Sequence, residues 1–500
     1  MAGASGTSTP RLFPSTRFTL AIVSFLGCMV VYSLRTSLSM AIVCMVDSNK
    51  TTTEARCPDE SSTPAPLSLL EAAQKDEPSV QLEREFKWDP EIQGTLMGGF
   101  FYGYLGSQIL GGIIAARFGA KRVILYAVLL SGVFTLMSPV AARSSPWALF
   151  IVRVIIGFMQ GAIFPAMHTM WSVWAPPQEV SVLTSVTYAG TQFGNIVTMP
   201  LGGFLCTYGP DNGWPSIFYL LGVMGVLWCA IWQLFASDRP TNHPRISEEE
   251  KEYIESSKEL SMGKASSKPP PTPWLSILTS RAVWAAWIGH FAGDWGAYTM
   301  LVSLPSFLND VLGVELSALG TLAAVPYIAY FIVINVGGFL SDYIRQKGIL
   351  STLNTRRAAM LVALVGQAIF LVLSSYVGCG SNGLVVFYLT IGMALSGLQF
   401  SGFVVNYLDI APPFSGTIMG IGNTLSCTGG IISPLLTGFI VQNARQSEWQ
   451  TVMWVTAAIL VGGSLIFCLF AKGEVEPWAR TDQKTETEMV ALNKSDDTEK

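Results

Sequence analysis

Arg35 stands between Val30-Val31-Tyr32-Ser33-Leu34 and Thr36-Ser37-Leu38-Ser39-Met40, with no acidic residue within a helical turn. A guanidinium in a bilayer-spanning stretch costs from about 2.5 to well over 10 kcal/mol, so it must face a helix bundle's interior or an aqueous cavity. Its planar fork matches a carboxylate or a phosphate bidentately. With no counter-charge nearby in the chain, its expected partner is an anionic substrate. Arg153 is a second basic residue in an apolar stretch, about two turns from its start, where it either snorkels to the near surface or joins Arg35. Acids in apolar stretches are few, and Asp294 in His290-Phe-Ala-Gly-Asp294-Trp295 is the deepest. Asp294, His290 and His168 are the groups that could carry a coupling proton, because burial moves a carboxyl towards titration at accessible pH. The histidines fit equally well as packing residues, and Asp342 and Asp409, at stretch ends, read as structural. Tyr32, Phe100, Phe101, Tyr102, Tyr188 and Tyr298 lie near these charges and can line a cavity or simply pack.

Such residues need helices to hold them. Half of the 500 residues are hydrophobic and 13% are charged, against about 25% charged in a soluble domain. Stretches such as 18–34, 123–137, 217–232 and 451–470 contain no Asp, Glu, Lys or Arg. About 20 residues at 1.5 Å rise cross the hydrocarbon. This composition excludes a secreted disulfide scaffold, a disordered chain and a coiled coil, and a net charge of −4 gives no reason to expect nucleic acid. The chain reads as an all-α polytopic membrane protein of twelve transmembrane helices, near 18–46, 93–115, 123–142, 147–172, 182–208, 216–236, 282–309, 317–341, 358–378, 383–408, 414–441 and 450–471. Its expected organisation is an N-terminal tail (1–17), a six-helix bundle (18–236, with an outer loop at 47–91), a linker (237–281), a second six-helix bundle (282–472) and a disordered tail (473–500). Ser247-Glu-Glu-Glu250 fits a capping box opening a short surface helix that ends near Leu260. The first span is too long for a signal-peptide core and is expected to be retained.

Lys and Arg set the orientation. Of 30, 21 fall on the side that carries both termini and 7 on the other, and the basic side is the cytosol. Asn49-Lys-Thr is then a glycosylation sequon in the outer loop, whereas Asn493-Lys-Ser falls in the cytosolic tail and should be silent. Most of the eight cysteines, Cys44 among them, lie in apolar spans and read as small hydrophobes. Cys57 and Cys379 fall in outer loops and could pair. The halves repeat one another: Gly111-Gly112-Ile-Ile-Ala-Ala-Arg117-Phe-Gly119-Ala-Lys121-Arg122 follows span 2, and Gly337-Gly338-Phe-Leu-Ser-Asp342-Tyr-Ile-Arg345 follows span 8. Glycines at a helix end before a basic loop, in register in both halves, indicate a duplicated unit, and duplicated bundles are a transporter plan. There is no P-loop, HExxH, Rossmann fingerprint or GxSxG, and no metal-ligand cluster, so neither an enzyme, a cofactor nor a metal is expected.

The chain resembles the major facilitator superfamily and, within it, the anion–cation symporter family of sialin, the vesicular glutamate transporters and the sodium–phosphate cotransporters, most of all the sialin type. The resemblance covers about residues 18–480. It rests on Tyr32-Ser-Leu-Arg35, Phe100-Phe-Tyr-Gly-Tyr104, Phe164-Pro-Ala-Met-His168-Thr-Met-Trp171, Trp174-Ala-Pro-Pro177, Tyr188-Ala-Gly190, Arg245-Ile-Ser, Lys251-Glu-Tyr-Ile254, Ser401-Gly-Phe, Asn406-Tyr-Leu-Asp-Ile-Ala-Pro412 and Phe470-Ala-Lys-Gly-Glu-Val475. It implies two bundles working by alternating access, with an organic-anion site at Arg35 and Arg153 lined by Tyr32, Phe101, Tyr188, Tyr298 and Asn406. Gly112, Arg117, Gly338 and Asp342 would be structural loop residues. The chain also departs from the family. Sialin-like members carry glutamates after the span-4 arginine where Ile156 and Gln160 stand here. Ala116 replaces a usual Asp, Val180 a usual Arg, and Met97 and Gly293 disfavour the glutamate subgroup. The N-terminus lacks the acidic dileucine signal of lysosomal members.

The expectation is a secondary-active transporter of an organic anion, an acidic sugar or carboxylate such as sialic acid or an acidic amino acid, coupled to protons or sodium. It would sit in a lysosomal, vesicular or plasma membrane with both termini cytosolic. A sodium-driven phosphate or urate-type carrier is the alternative within the class, and a non-transporting receptor on the same scaffold is the alternative outside it.

Overall fold

A computed structural model describes residues 12–47, 84–176, 179–262, 272–312, 316–377 and 381–480. Among them run twelve helical rods. The first six are α1 (Thr16–Met45), α2 (Pro90–Phe118), α3 (Ala120–Ser144), α4 (Pro146–Trp174), α5 (Val180–Tyr208) and α6 (Trp214–Phe235). The second six are α7 (Arg281–Phe307), α8 (Leu316–Gln346), α9 (Thr352–Tyr376), α10 (Asn382–Ile410), α11 (Ser415–Ile440) and α12 (Gln446–Phe470). Several of their starts follow ordinary capping rules. Ser15 accepts from the amide of Phe18, Ser145 precedes Pro146 and accepts from Trp147, and Ser280 accepts from Val283. Gly119, at φ +95°, turns α2 into α3 in one residue, a conformation that glycine adopts without strain. Large apolar side chains point outward, Phe339 at 80% and Leu469 at 70% exposure among them, as a hydrocarbon solvent requires.

Eight of the twelve rods are long and apolar enough to cross a membrane; the four below that mark are α2, α5, α7 and α11. All four lie where the halves meet. Rod α2 packs on α11, α5 on α8, and α1 on α7, while the other extensive helix pairings stay within each set of six. Facing another helix instead of lipid, they carry glycine, serine, threonine and asparagine, which lower mean hydropathy and let backbones approach. A Cβ on Gly94 would overlap the Pro434 carbonyl, one on Gly438 the Pro90 carbonyl, and one on Gly320 the Met199 carbonyl. These crossings lie towards the face opposite the termini. Towards the terminus-bearing face, a Cβ on Gly106, Gly416 or Gly420 would meet nothing within 4 Å.

Buried ion clusters brace the terminus-bearing face. Arg17, fully buried, binds Glu179 at 2.6 Å and Glu250 at 3.1 Å, tying α1 to the α4–α5 turn and to the linker helix Glu248–Met262. Ser247 accepts from the amide of Glu250, so the capping serine is as expected, but the glutamate side chain is spent on Arg17. In the second half Arg356 binds Asp409 at 2.8 Å and donates to the Ser401 carbonyl at 3.0 Å. Ser401 lies in the π turn Phe400–Val404 that interrupts α10, where a looser helical turn leaves carbonyls in need of partners. Removing one partner of a buried pair strands the other. Arg356→Ala should lower stability by about 3–5 kcal/mol and the melting midpoint of the detergent-purified protein by roughly 5–15 °C, with Asp409→Asn in the same chain restoring part of it. An unchanged midpoint would refute the brace.

Two expectations about loops and cysteines change. Cys44 is not a free hydrophobe: it forms a disulfide with Cys206, joining the far ends of α1 and α5. The segment after α12 is not wholly loose. Glu476 donates its amide to the Ile410 carbonyl at 2.8 Å and Trp478 lies against Phe414, so 473–480 seals the base of the second bundle. Asn49, Asn493, Cys57 and Cys379 lie outside the described residues.

Candidate functional site

Arg35 sits about two-thirds of the way along α1 and is buried at 6% exposure. Five rings surround its guanidinium. Tyr32 comes from α1, Phe100, Phe101 and Tyr104 from α2, and Tyr298 from α7, all with centroids 4.8–5.3 Å away. Tyr104 lies three residues after Phe101 and four after Phe100, which puts it beside both on α2. Tyr298 reaches across from the other half and meets Phe101 at 4.8 Å. The rings offer cation–π attraction but no hydrogen-bond acceptor along the guanidinium edge. Nε and Nη2 of Arg35 have no partner, and no carboxylate among the described residues forms an ion pair with it. Buried donors are nearly always satisfied, so two orphaned nitrogens on one planar fork mark a place where a bidentate acceptor fits.

Arg153 does not snorkel. It is 3% exposed and turns inward, donating from Nη2 to the backbone carbonyl of Arg35 at 2.9 Å and from Nη1 towards that of Leu34 at 3.5 Å. A close crossing allows this: a Cβ on Gly157 would overlap the Phe100 carbonyl and one on Gly103 the Val154 carbonyl, which draws α4 against α2. Both arginines border a void of about 20 Å³ shared with Thr36, Ser39, Met97, Phe100 and Phe101, room for about one water. Met97 also borders a larger cleft of about 210 Å³ that opens at the face opposite the termini and is edged by Arg84, Lys87, Asp89, Gln93, Ser306 and Thr437. Met97 thus stands between the cleft and the arginines.

On the terminus-bearing side of Arg35 an aromatic row continues. Tyr32 meets Phe164, Phe164 stacks on Tyr188, and Tyr188 lies 5.4 Å from the exposed ring of His168. The hydroxyl of Tyr188 is buried and without a partner. Asp294 and His290 come together at 3.3 Å, one turn apart on α7, with Ser426 donating to the carboxylate at 2.6 Å. Asn406 is elsewhere. Its amide donates to the Lys472 carbonyl at 2.7 Å, which ties α10 to the end of α12. The loop residues are peripheral: Arg117 and Asp342 are exposed, and Gly112 and Gly338 make no close crossing. The first loop is held instead by Asp238, which accepts from the amide of Lys121 at 2.8 Å.

Sequence reasoning passed over the uncharged links between the halves. Asn423 of α11 donates to the Gln108 side chain of α2 at 2.7 Å, and Gln108 donates to the Cys427 thiol at 3.1 Å. Thr299 and Ser433 meet at 2.7 Å within the second half. A search for uncharged polar residues in the least apolar spans would have found them. At the opposite face Arg143 clasps Glu85 and Asp211 at 3.0 and 2.8 Å, and hydrogen bonds from that guanidinium hold both carboxyls below their usual range.

The sequence profile of the Major Facilitator Superfamily matches residues 20–434. An uncharacterised transporter of Caenorhabditis elegans is 58% identical over 98% of both chains. Human sialin is 39% identical over 94% of this chain and 92% of its own. Among solved structures, a bacterial homologue of the human lysosomal transporter Spinster superposes with a TM-score of 0.65 at 14% identity, covering 91% of this chain and 96% of that one. Family profile, full-length relatives and fold agree, and the chain belongs to the Major Facilitator Superfamily, in its anion–cation symporter family of secondary-active transporters.

Proposed function

We propose that this protein carries a small organic anion across the membrane by alternating access, with the anionic group seated on Arg35. The single observation that carries this reading is the orphaned Nε and Nη2 of a buried guanidinium placed where the two halves meet. A carboxylate accepts both bonds at once, and the rings around it suit the apolar body of an organic acid better than bare phosphate. Sialin, a full-length relative at 39% identity, supports an acidic sugar such as sialic acid. An acidic amino acid such as glutamate is the next candidate, and inorganic phosphate or urate the alternative. The void at Arg35 admits about one water, so substrate enters when the halves part and Met97 and Tyr298 withdraw. Twelve transmembrane helices in two six-helix sets of the same orientation give that motion its two rigid bodies. The coupling ion is a proton or sodium, and the surrounding partner is the lipid bilayer.

The test is uptake into proteoliposomes of labelled sialic acid, glutamate and phosphate. Saturable counterflow of one carboxylate, competed by the others only at higher concentration, is the expected result; no counterflow of any would refute the reading. The non-transporting receptor reading predicts binding without counterflow.

We also infer that both termini are cytosolic. The basic residues favour that side by 21 to 7, and the Cys44–Cys206 disulfide joins the helix ends at the other face, where a lumenal or extracellular compartment would keep it oxidised. Terminal epitopes should be inaccessible in sealed cells, and glycosidase should shift wild type but not Asn49→Gln. A terminal epitope reached from outside overturns the assignment. A lysosomal, vesicular or plasma membrane fits equally.

A further inference from the structure

Outside the Arg35 chamber, one cluster gathers a buried acid, a buried imidazole and two hydroxyls with nothing left over. His290, 4% exposed, stacks on Phe403 at 4.3 Å. Its Nε2 lies 3.3 Å from Asp294 Oδ2 and its Nδ1 lies 3.1 Å from the Tyr407 hydroxyl. Tyr407 also reaches the Ala286 carbonyl at 3.4 Å. At the other end Ser426 has one hydroxyl hydrogen and two acceptors, Asp294 Oδ2 at 2.6 Å and the Asn423 carbonyl at 3.1 Å. The Asp294 side chain retains 19% exposure, so a proton can reach it while His290 stays sealed behind.

We propose that Asp294, His290 and Tyr407 form the proton site that couples anion movement to a proton gradient, a reading that rests on anion transport at Arg35. The hydrogen bonds close in both protonation states. With the carboxylate ionised, Ser426 and His290 Nε2–H donate to it and Tyr407 donates to Nδ1. When Asp294 takes up one proton, its new O–H donates to Ser426, which turns its own hydrogen to the Asn423 carbonyl. His290 keeps its Nε2 side on Asp294 and its Nδ1 on the Tyr407 hydroxyl throughout, so this pair orients the carboxyl that takes up the proton. One proton enters and one leaves, and no other bond is made or broken. A buried polar network that is satisfied in two states can switch without stranding a donor.

The cluster is also wired to the anion site and to the interface between the halves. Asp294 stands one turn from Tyr298, whose ring covers Arg35 at 5.3 Å. Ser426 stands between Asn423 and Cys427, the two α11 residues bonded to Gln108 of the other half. The groups within electrostatic range of Asp294 are Arg35 and Tyr32 from α1, Tyr104 from α2, Tyr298 on α7, Tyr330 from α8, Tyr407 from α10 and Cys427 from α11. Arg35 is the one guanidinium among them. An anion seated on Arg35 cancels the charge that favours the carboxylate, so anion and proton binding reinforce one another, and by linkage each favours the other equally. His168 is exposed and, among the described residues, bonded to no acid.

Purified full-length protein in proteoliposomes tests this with labelled sialic acid, glutamate and phosphate, read as accumulation under a one-unit inward proton gradient and as counterflow with no gradient. One pH unit, about 1.4 kcal/mol, drives up to about ten-fold accumulation through a one-to-one symport. Wild type should accumulate; Asp294→Asn should fall to the equilibrium level while keeping counterflow, and Tyr407→Phe should displace the pH profile of accumulation. Undiminished accumulation by Asp294→Asn overturns the proposal. If Asp294→Asn also loses counterflow, Asp294→Glu decides: accumulation with a displaced pH profile supports the site, and its loss overturns it. Wild-type counterflow without accumulation under the proton gradient overturns the proton site alone, whereas no wild-type counterflow of any anion overturns the transport reading and the proton site with it.

Discussion

Arg35→Ala should abolish saturable anion uptake while the protein reaches the membrane at wild-type abundance. The guanidinium makes no ion pair that its removal would strand, and its Nε and Nη2 are unbonded, so the main loss falls on whatever binds those nitrogens. Charge-assisted hydrogen bonds are worth about 1.5–3 kcal/mol each, and losing two in a site closed to water takes an affinity in the usual substrate range beyond measurement. Arg35→Lys should retain part of the uptake, with the half-saturating concentration raised roughly ten- to hundred-fold, because an ammonium supplies charge without the fork. Arg35→Met preserves the volume between Phe100, Phe101 and Tyr298 and should resemble Ala in uptake. The check is initial uptake rate against concentration at matched protein per vesicle. Uptake of normal affinity by either neutral variant would remove Arg35 from the anion site.

How much of this could be read beforehand differs by kind of feature. Helix positions were legible because lipid imposes a one-dimensional signal. The stretch expected at 93–115 is α2 at Pro90–Phe118, and the one at 450–471 is α12 at Gln446–Phe470. The start expected at 358 is displaced to Thr352 because Arg356 and Arg357, which look like loop charges, are helical, with Arg356 buried on Asp409. Arg35 was legible as a charge out of place. Its ring box was half legible: Tyr104 lies beside Phe100 and Phe101 on one helix, but Tyr298 belongs to the other half and reaches Arg35 only through tertiary packing. The same holds for His290 and Asp294, whose four-residue spacing puts them on one face, while Tyr407 and Ser426 are brought to them from more than a hundred residues away. Cys44 with Cys206 and Arg17 with Glu179 and Glu250 were illegible for that reason, since nothing local distinguishes a cysteine or acid that will find a distant partner. Asn406 shows the converse, a residue suggested by resemblance whose hydrogen bond goes to the Lys472 backbone.

Arg153 provides the sharpest contrast with Arg35, because the two arginines border one void and are bonded differently. Arg153 spends Nη2 on the Arg35 carbonyl at 2.9 Å, a bond present without any anion. A hydrogen bond from a charged group contributes about 1.5–3 kcal/mol, and this one pins α1 to α4 at the level of the anion site. Arg153→Met should therefore lower the melting midpoint of the anion-free protein by roughly 3–10 °C, whereas Arg35→Met, which breaks no hydrogen bond, should leave it within about 2 °C. Uptake by Arg153→Met should fall too, since the carbonyl it held belongs to the residue that presents the fork. Combining Arg153→Met with Arg35→Lys separates a brace from a second ligand. A brace acts through Arg35, so the double variant should lose less uptake than the two single losses added, with an interaction energy of about 0.5–3 kcal/mol. Melting and uptake are read on the same preparations. If Arg153→Met melts with wild type and its uptake loss simply adds to that of Arg35→Lys, Arg153 contacts the anion independently and its bond to the α1 backbone gives way when substrate arrives.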